Sequence, residues 1–150
     1  VYFLLVGKDT QALAPAVAAK GLTGQVRLLG YRSDVECLLP GVDVVCLSSA
    51  FGEGFPNVLG EAMACGIPCV STDVGDARSI IGDTGLVVPA RAPASLARAI
   101  IDLIDRGPSV REHLGRAARA RIETEYSLAR IVERYTALYS DLCPNDSSAH

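Results

Sequence analysis

The stretch VDVVCLSSAFGEGFPNVLGEAMACGIPCVST, residues 42–72, decides the fold. Residues 42–47 are apolar except for Asp43, and such a run is typical of a strand buried in a parallel sheet. A Gly-rich turn follows, and residues 56–65 predict a helix, since Pro56 suits a first helical turn and Gly66 suits the position after the last. Residues 69–72 predict the next strand. Strands that alternate with helices in this way indicate a parallel sheet with helices on both faces.

The same alternation continues on both sides of this stretch. Further strands are predicted at residues 1–6, 26–29 and 85–88. Further helices are predicted at residues 10–20, 33–39, 94–105, 109–123 and 128–142. Pro15 weakens the first of these, which is expected to begin near it. The sequence therefore predicts an α/β fold, a Rossmann-like parallel sheet of five or six strands flanked by helices.

Composition describes a globular domain without a strong charge. The chain has 150 residues, 49% of them hydrophobic, and a net charge of −3. It lacks the basic patch that nucleic-acid-binding proteins normally carry, so nucleic acid is not an expected partner. No apolar run is long enough to span a membrane and no signal peptide precedes the fold. These features predict a cytoplasmic protein.

The five cysteines predict buried, reduced thiols, with a metal site or a disulfide framework as the alternative. They are Cys37, Cys46, Cys65, Cys69 and Cys143. Their number is odd, Cys65 and Cys69 lack CxxC spacing, and no His lies near them in sequence. No bound metal is therefore expected.

The chain begins directly in a strand at Val1, with no initiator Met. This predicts a piece of a longer protein, whose first strand and amino-terminal domain precede it. The polar residues at the other end predict a disordered tail over residues 143–150. Residues 1–142 are then the folded domain.

The turn after residues 42–47 carries the features of an anion site. Gly52 and Gly54 allow the backbone to approach a ligand closely. The helix that starts near Pro56 offers amides and the positive end of its dipole to an anion. The amides expected to be free are those of Asn57, Val58 and Leu59.

Two carboxylates bracket this helix end. Glu53 precedes the helix, and Glu61 shares a helix face with Asn57 because they are four positions apart. The face expected to be buried carries Leu59, Ala62 and Met63. Each Glu alone is better explained as a solvated residue. Together they predict a nucleotide diphosphate-sugar, with phosphates at the amides and hydroxyls at the carboxylates.

The segment EGFPNVLGEAMACGIPCV, residues 53–70, resembles the E-x7-E signature of the retaining glycosyltransferases of family 4, or group 1. Residues 3–7, 26–30, 42–49, 72–75 and 84–89 resemble other strands of that family, so that the resemblance covers about residues 1–139. It implies one half of a two-Rossmann-domain glycosyltransferase, the carboxy-terminal donor-binding domain, with the acceptor bound by the amino-terminal domain.

The resemblance also implies residue roles. Glu53 takes the catalytic position and faces the hydroxyls of the transferred sugar, while Glu61 holds the ribose. Backbone around Gly54, Phe55, Pro56, Asn57 and Val58 approaches the sugar and phosphates, and the loop Gly30, Tyr31 and Arg32 borders the nucleobase. The implied reaction moves a sugar, with retention and without a metal or other cofactor, to a saccharide or a lipid-linked acceptor. Sugar, base and acceptor stay open.

Several positions depart from the family pattern. Gly60 stands where a bulkier aliphatic residue is common, and Asp76 and Ser79 stand where many members have Gly and Glu, which leaves donor contacts near Gly75 open. Two alternatives therefore remain: a non-catalytic nucleotide-sugar-binding module, and a fragment of a nucleotide-sugar epimerase.

The basic helix at residues 109–123 is expected to present a solvated face. Its arginines are Arg111, Arg116, Arg119 and Arg121. The alternative is contact with an anionic membrane surface or with the amino-terminal domain.

Overall fold

The computed structural model describes residues 1–143. All but the first residue of the tail predicted at 143–150 therefore lie outside the described residues. The chain divides into two compact units, a small unit, Val1–Leu38, and a large unit from Leu39 onward.

The small unit contains one parallel pair of strands and its crossover. Its elements are β1 (Phe3–Val6), a 3₁₀ turn (Thr10–Leu13), α1 (Ala14–Ala19), β2 (Val26–Gly30) and α2 (Val35–Leu38). β1 and β2 pair in parallel. The helix predicted at residues 10–20 forms in two pieces. The α-helical piece begins beside Pro15, as expected of a residue that fits only the first turn.

The large unit contains a three-stranded parallel sheet. After a 3₁₀ turn (Leu39–Gly41), its elements are β3 (Val45–Leu47), α3 (Asn57–Ala64), β4 (Cys69–Thr72), α4 (Ala77–Ile81), β5 (Leu86–Val88), α5 (Pro93–Asp105), α6 (Pro108–Glu125) and α7 (Leu128–Leu142). The strand order is β3-β4-β5. The predicted α/β class, with parallel strands flanked by helices, is confirmed.

The core of the large unit lies around β4, whose four residues are all buried. Val70 packs against Ala99 and Leu103 of α5. α3 and α4 also pack against β4. The face of α3 that the sequence predicts to be buried is wholly inaccessible to solvent, at Leu59, Ala62 and Met63. Because its central strand is covered, the sheet is a firm base for the loops at its ends.

The prediction of a single sheet of five or six strands was wrong. The five strands form two parallel sheets, of two and three strands. Alternation of strands and helices indicates parallel pairing, but it does not determine which strands are neighbours, since that depends on long-range hydrogen bonds. β1 is also not the fully buried strand expected: Phe3, Leu4 and Val6 are 40%, 43% and 39% exposed. A two-stranded sheet offers few neighbours to cover it.

The prediction of buried cysteines holds only for Cys69. The others are exposed, and all five thiols are free: Cys37, Cys46, Cys65, Cys69 and Cys143. The expectation failed because a position within or beside an apolar segment does not place a side chain inward, as successive residues of a strand or helix point to different sides. Burial raises the pKa of the Cys69 thiol to about 12.

Candidate functional site

Two loops of the large unit meet at one edge of its sheet. The Glu53 loop, residues 48–56, follows β3, and the Gly75 loop, residues 73–76, follows β4. β3 and β4 are parallel neighbours in register Val45 to Cys69. Their carboxyl ends therefore lie side by side, which is where α/β sheets bind ligands.

The two loops are held together by their backbones. The amide of Asp76 donates to the carbonyl of Gly54 at 2.9 Å. Gly75 has φ +51°, and a Cβ there would lie 2.6 Å from the Glu53 carbonyl oxygen and collide with that of Gly54. Glycine at residue 75 is thus required by this close approach, which fixes the backbone that carries Glu53.

A chain of hydroxyl groups orients Glu53. Ser49 Oγ donates to Glu53 Oε1 at 2.6 Å. The carbonyl of Ser49 in turn accepts from Thr72 Oγ1 at 2.6 Å, and Thr72 is buried in β4. A hydrogen bond to a carboxylate is stronger than one between neutral groups. The half-buried Glu53 carboxylate is therefore fixed with respect to the end of β4.

The amino end of α3 has open backbone donors. Pro56 is the N-cap residue, in an extended conformation, and no side chain caps the helix. Among the described residues, the amides of Asn57 and Val58 find no acceptor, as predicted. The prediction was wrong for Leu59, whose amide donates to the Pro56 carbonyl at 3.0 Å, because the first turn closes tightly.

Glu61 and Asn57 lie on the outer face of α3. Both side chains are exposed, whereas the opposite face is buried. Helical geometry places residues four apart on the same face. Glu53 thus lies in the loop before α3, and the open amides and Glu61 lie on α3 itself.

Gly30, Tyr31 and Arg32 belong to the small unit, at the end of β2. Gly30 has φ +69°, and its amide donates to Thr10 Oγ1 at 3.0 Å. The Tyr31 side chain is 71% exposed. Arg32 Nε donates to Asp34 Oδ1 at 2.8 Å, within an ion pair that engages its guanidinium. Tyr31 is therefore the side chain of this loop that is available to a flat ligand, and the assignment to the nucleobase stays a prediction.

The sequence predicts that all four arginines of α6 are solvated, and this prediction was wrong for two of them. Arg121 donates to the carbonyls of Ile80 and Ser79 at 2.9 and 2.7 Å, beside the end of α4. Arg111 donates to the carbonyls of Leu103 and Ile104 at 3.3 and 3.0 Å in the last turn of α5. Cations stabilise the carboxyl ends of helices. Composition could not reveal this, because the partners are backbone carbonyls of other helices.

The solvated interpretation does hold for the two remaining arginines of α6. Arg116 is exposed. Arg119 is also exposed, and it pairs with Glu123 one turn along the same helix. These are ordinary surface positions.

Sequence reasoning missed three supporting residues of this site. Ser49 and Thr72 orient Glu53, and the ring of Tyr126 lies 5.7 Å from that of Phe55. A serine four residues before Glu53 was a weak local signal for the first. The other two come from β4 and from the end of α6, so only the folded structure identifies them.

Metal clusters and membrane-spanning helices are both absent from residues 1–143. No group of three or more His, Cys, Asp or Glu side chains there could hold a metal ion. Over the same residues, no helix has the length and apolar character needed to cross a membrane.

Comparison with known proteins agrees with this geometry. The family model for glycosyl transferases group 1 matches residues 1–106. The chain is 32% identical over 149 residues to N-acetyl-alpha-D-glucosaminyl L-malate synthase of Bacillus anthracis, covering 97% of this chain and 39% of that protein. It is 31% identical over 151 residues to phosphatidyl-myo-inositol mannosyltransferase of Mycobacterium leprae, covering 98% of this chain and 40% of that protein.

A solved structure is similar over nearly the whole chain. The crystal structure of HepE from Anabaena in complex with UDP superposes with a TM-score of 0.83 at 25% identity, covering 94% of this chain and 41% of that one. HepE has also been crystallised with UDP-glucose. The chain thus spans about two fifths of the length of its relatives. Sequence motif, fold and family model agree, and the chain belongs to the glycosyl transferases group 1 family.

Proposed function

We propose that residues 1–142 form the donor-binding domain of a retaining glycosyltransferase, which moves a sugar from a nucleotide diphosphate-sugar to a saccharide or a lipid-linked acceptor. The observation that carries the proposal is the oriented carboxylate of Glu53 beside the uncapped amino end of α3. Membership of the family supports it.

The diphosphate is assigned to the amino end of α3. The amides of Asn57 and Val58 are open, and the helix dipole adds partial positive charge at the same end. This local attraction matters because the chain as a whole has a net charge of −3, which would repel an anion. Pro56 has no N–H, so it adds no donor there.

The two carboxylates take the hydroxyl groups of the donor. Glu61 stands on the rigid α3 and is assigned to the ribose hydroxyls. Glu53 is held by Ser49 through Oε1, which leaves Oε2 for hydroxyls of the transferred sugar. Orienting the sugar before reaction is the contribution to catalysis that this arrangement supports.

The relatives support the donor class more strongly than the acceptor. HepE has been crystallised with UDP and with UDP-glucose. The names of the other relatives specify acceptors as different as L-malate and phosphatidyl-myo-inositol. The acceptor here is assigned to the amino-terminal domain of the full protein, and Gly30, Tyr31 and Arg32 to the nucleobase. A cytoplasmic location with peripheral membrane contact stays a prediction.

The test uses the natural full-length polypeptide that carries this chain. It is incubated with UDP-glucose, GDP-mannose or ADP-glucose and a mixture of saccharide and lipid-linked acceptors. The product is analysed by proton NMR at the anomeric carbon. We expect transfer from one donor, with the anomeric configuration of the donor kept. An inverted product would contradict the retaining mechanism, binding without turnover would indicate a binding module, and an altered sugar would indicate an epimerase.

A further inference from the structure

Tyr126, the residue directly after α6, contacts both the Glu53 loop and α4. Its aromatic ring lies 5.7 Å from that of Phe55, with an angle of 54° between the planes. Its hydroxyl donates to the carbonyl of Ser79 in α4 at 3.0 Å. At the start of α4, the amide of Asp76 donates to Gly54, the neighbour of Phe55. Tyr126 therefore holds the Glu53 loop and α4 in one fixed relation.

Other contacts of α6 keep Tyr126 in place. Gly115 of α6 is buried, and a Cβ there would collide with the carbonyl of Gly66, just after α3. Near the other end of α6, Arg121 donates to two carbonyls of α4. α6 thus packs against the carboxyl end of α3 through Gly115, and Tyr126 contacts Phe55 just before its amino end. Because Gly115 and Arg121 hold α6 against its neighbours, the position of Tyr126 is fixed.

Phe55 needs this support. It follows two residues, Glu53 and Gly54, whose backbone determines where the Glu53 carboxylate lies, and its ring is 45% exposed. An aromatic pair in tilted geometry is favourable beyond the area it buries. Without the partner ring, the loop between Gly52 and Pro56 would keep only its contacts at Glu53 and Gly54, with Ser49, Gly75 and Asp76.

We infer that Tyr126 is a positioning residue for donor binding, which acts through Phe55 to hold Glu53 where it meets the transferred sugar. This inference rests on the proposed function. It predicts that the sugar conjugate of a nucleotide is affected more than the bare nucleotide, since Glu61 and the α3 amides belong to a helix that also packs against β3, β4 and α4.

The test compares Tyr126→Ala, Tyr126→Phe and the control Tyr135→Ala in the natural full-length polypeptide. Tyr135 lies exposed in α7. Calorimetry measures the Kd of UDP-glucose, GDP-mannose and ADP-glucose and of the three bare nucleotides. From the strength of an aromatic pair, Tyr126→Ala should raise the Kd of the bound sugar conjugate about three- to tenfold and that of its nucleotide less than about twofold. Tyr126→Phe keeps the ring and should stay within about twofold.

A second measurement needs no ligand. Amide hydrogen exchange over residues 49–55 should become faster in Tyr126→Ala but not in Tyr126→Phe or Tyr135→Ala. The inference would be overturned if exchange in this segment were unchanged in Tyr126→Ala. It would also be overturned if this variant lost affinity for conjugate and nucleotide equally and its amides exchanged faster over the whole protein. If the wild-type protein bound none of the donors, the proposed function would fail, while exchange would still decide the positioning role. Should Tyr126→Ala not fold, Tyr126→Leu is judged by the same criteria.

Discussion

Gly75 shows how one residue determines the geometry of the candidate site. It has φ +51°, and the carbonyls of Glu53 and Gly54 lie against the place where a Cβ would be. A left-handed conformation and a close backbone approach both require glycine here. The identity of this residue therefore controls how near the two loops can come.

Gly75→Ala should destabilise the protein by about 2 kcal/mol or more, because the left-handed backbone and the clash both add cost. Urea unfolding measures the change. The matched control is Gly60→Ala in α3, where a Cβ would meet nothing within 4 Å. That substitution should be neutral or stabilising by about 0.5–1 kcal/mol, as alanine is the better helix former. Equal effects of the two substitutions would contradict this account of the loop contact.

Cys69 should resist alkylation in the folded protein. Burial raises the pKa of its thiol to about 12, so the reactive thiolate is scarce at any pH below that value. Mass spectrometry after iodoacetamide treatment at pH 8 should find the exposed Cys37 and Cys65 modified and Cys69 unmodified until denaturant is added. Modification of Cys69 as fast as Cys65 would show that β4 is not covered as described.

Among the helices and strands, the sequence predicted the bounds correctly where a local segment determines its own structure. β4 and α7 begin and end at the predicted residues, and α5 begins one residue earlier. α4 was missed because a five-residue helix is too short to show amphipathic periodicity. Which strands pair with one another could not be predicted either, because pairing joins segments that are distant in the sequence.

Local sequence likewise predicts some residues of the candidate site and not others. The positions of Glu53 and Glu61 and the open amides of Asn57 and Val58 could be predicted, because they lie within one short segment with a distinctive spacing, whereas the bonded amide of Leu59 was predicted wrongly. The groups that orient them could not be predicted. Thr72 reaches Ser49 through strand pairing, and Tyr126 reaches Phe55 from the end of α6.

Among the helices, α6 supports its neighbours through its arginines. Arg121→Ala removes two charge-assisted hydrogen bonds to carbonyls of α4 and should cost about 1–3 kcal/mol of stability. Arg116 lies exposed on the same helix, so Arg116→Ala should change stability by less than about 0.5 kcal/mol. Thermal and urea unfolding of both variants provide the comparison. A loss in Arg116→Ala as large as in Arg121→Ala would contradict the capping role.

At the scale of the whole molecule, the chain covers about two fifths of its relatives. A transfer reaction needs both substrates oriented and water excluded, and the proposed site would bind the donor alone. We therefore expect the 150-residue polypeptide by itself to show no transferase activity. A radiochemical assay with labelled donors and a mixture of acceptors tests this, and a labelled product would refute it.

We propose that a nucleotide diphosphate-sugar binds with its ribose at Glu61 and its sugar at Glu53. A hydrogen bond to a charged group contributes about 1.5–3 kcal/mol, which corresponds to about tenfold to a hundredfold in affinity. Glu61→Ala should therefore weaken the bare nucleotide and the conjugate alike. Glu53→Ala should weaken the conjugate and leave the bare nucleotide nearly unchanged. Glu112→Ala, at an exposed carboxylate of α6, should alter neither.

The most direct measurement is calorimetric titration of wild type and these three variants, as full-length protein, with UDP, GDP and ADP and with a sugar conjugate of each. We expect Glu61→Ala to lose affinity for nucleotide and conjugate alike, Glu53→Ala to lose affinity for the conjugate alone, and Glu112→Ala to match wild type. The assignment would be wrong if Glu61→Ala, correctly folded, bound the nucleoside diphosphate as tightly as wild type, or if Glu53→Ala weakened the bare nucleotide as much as its sugar conjugate.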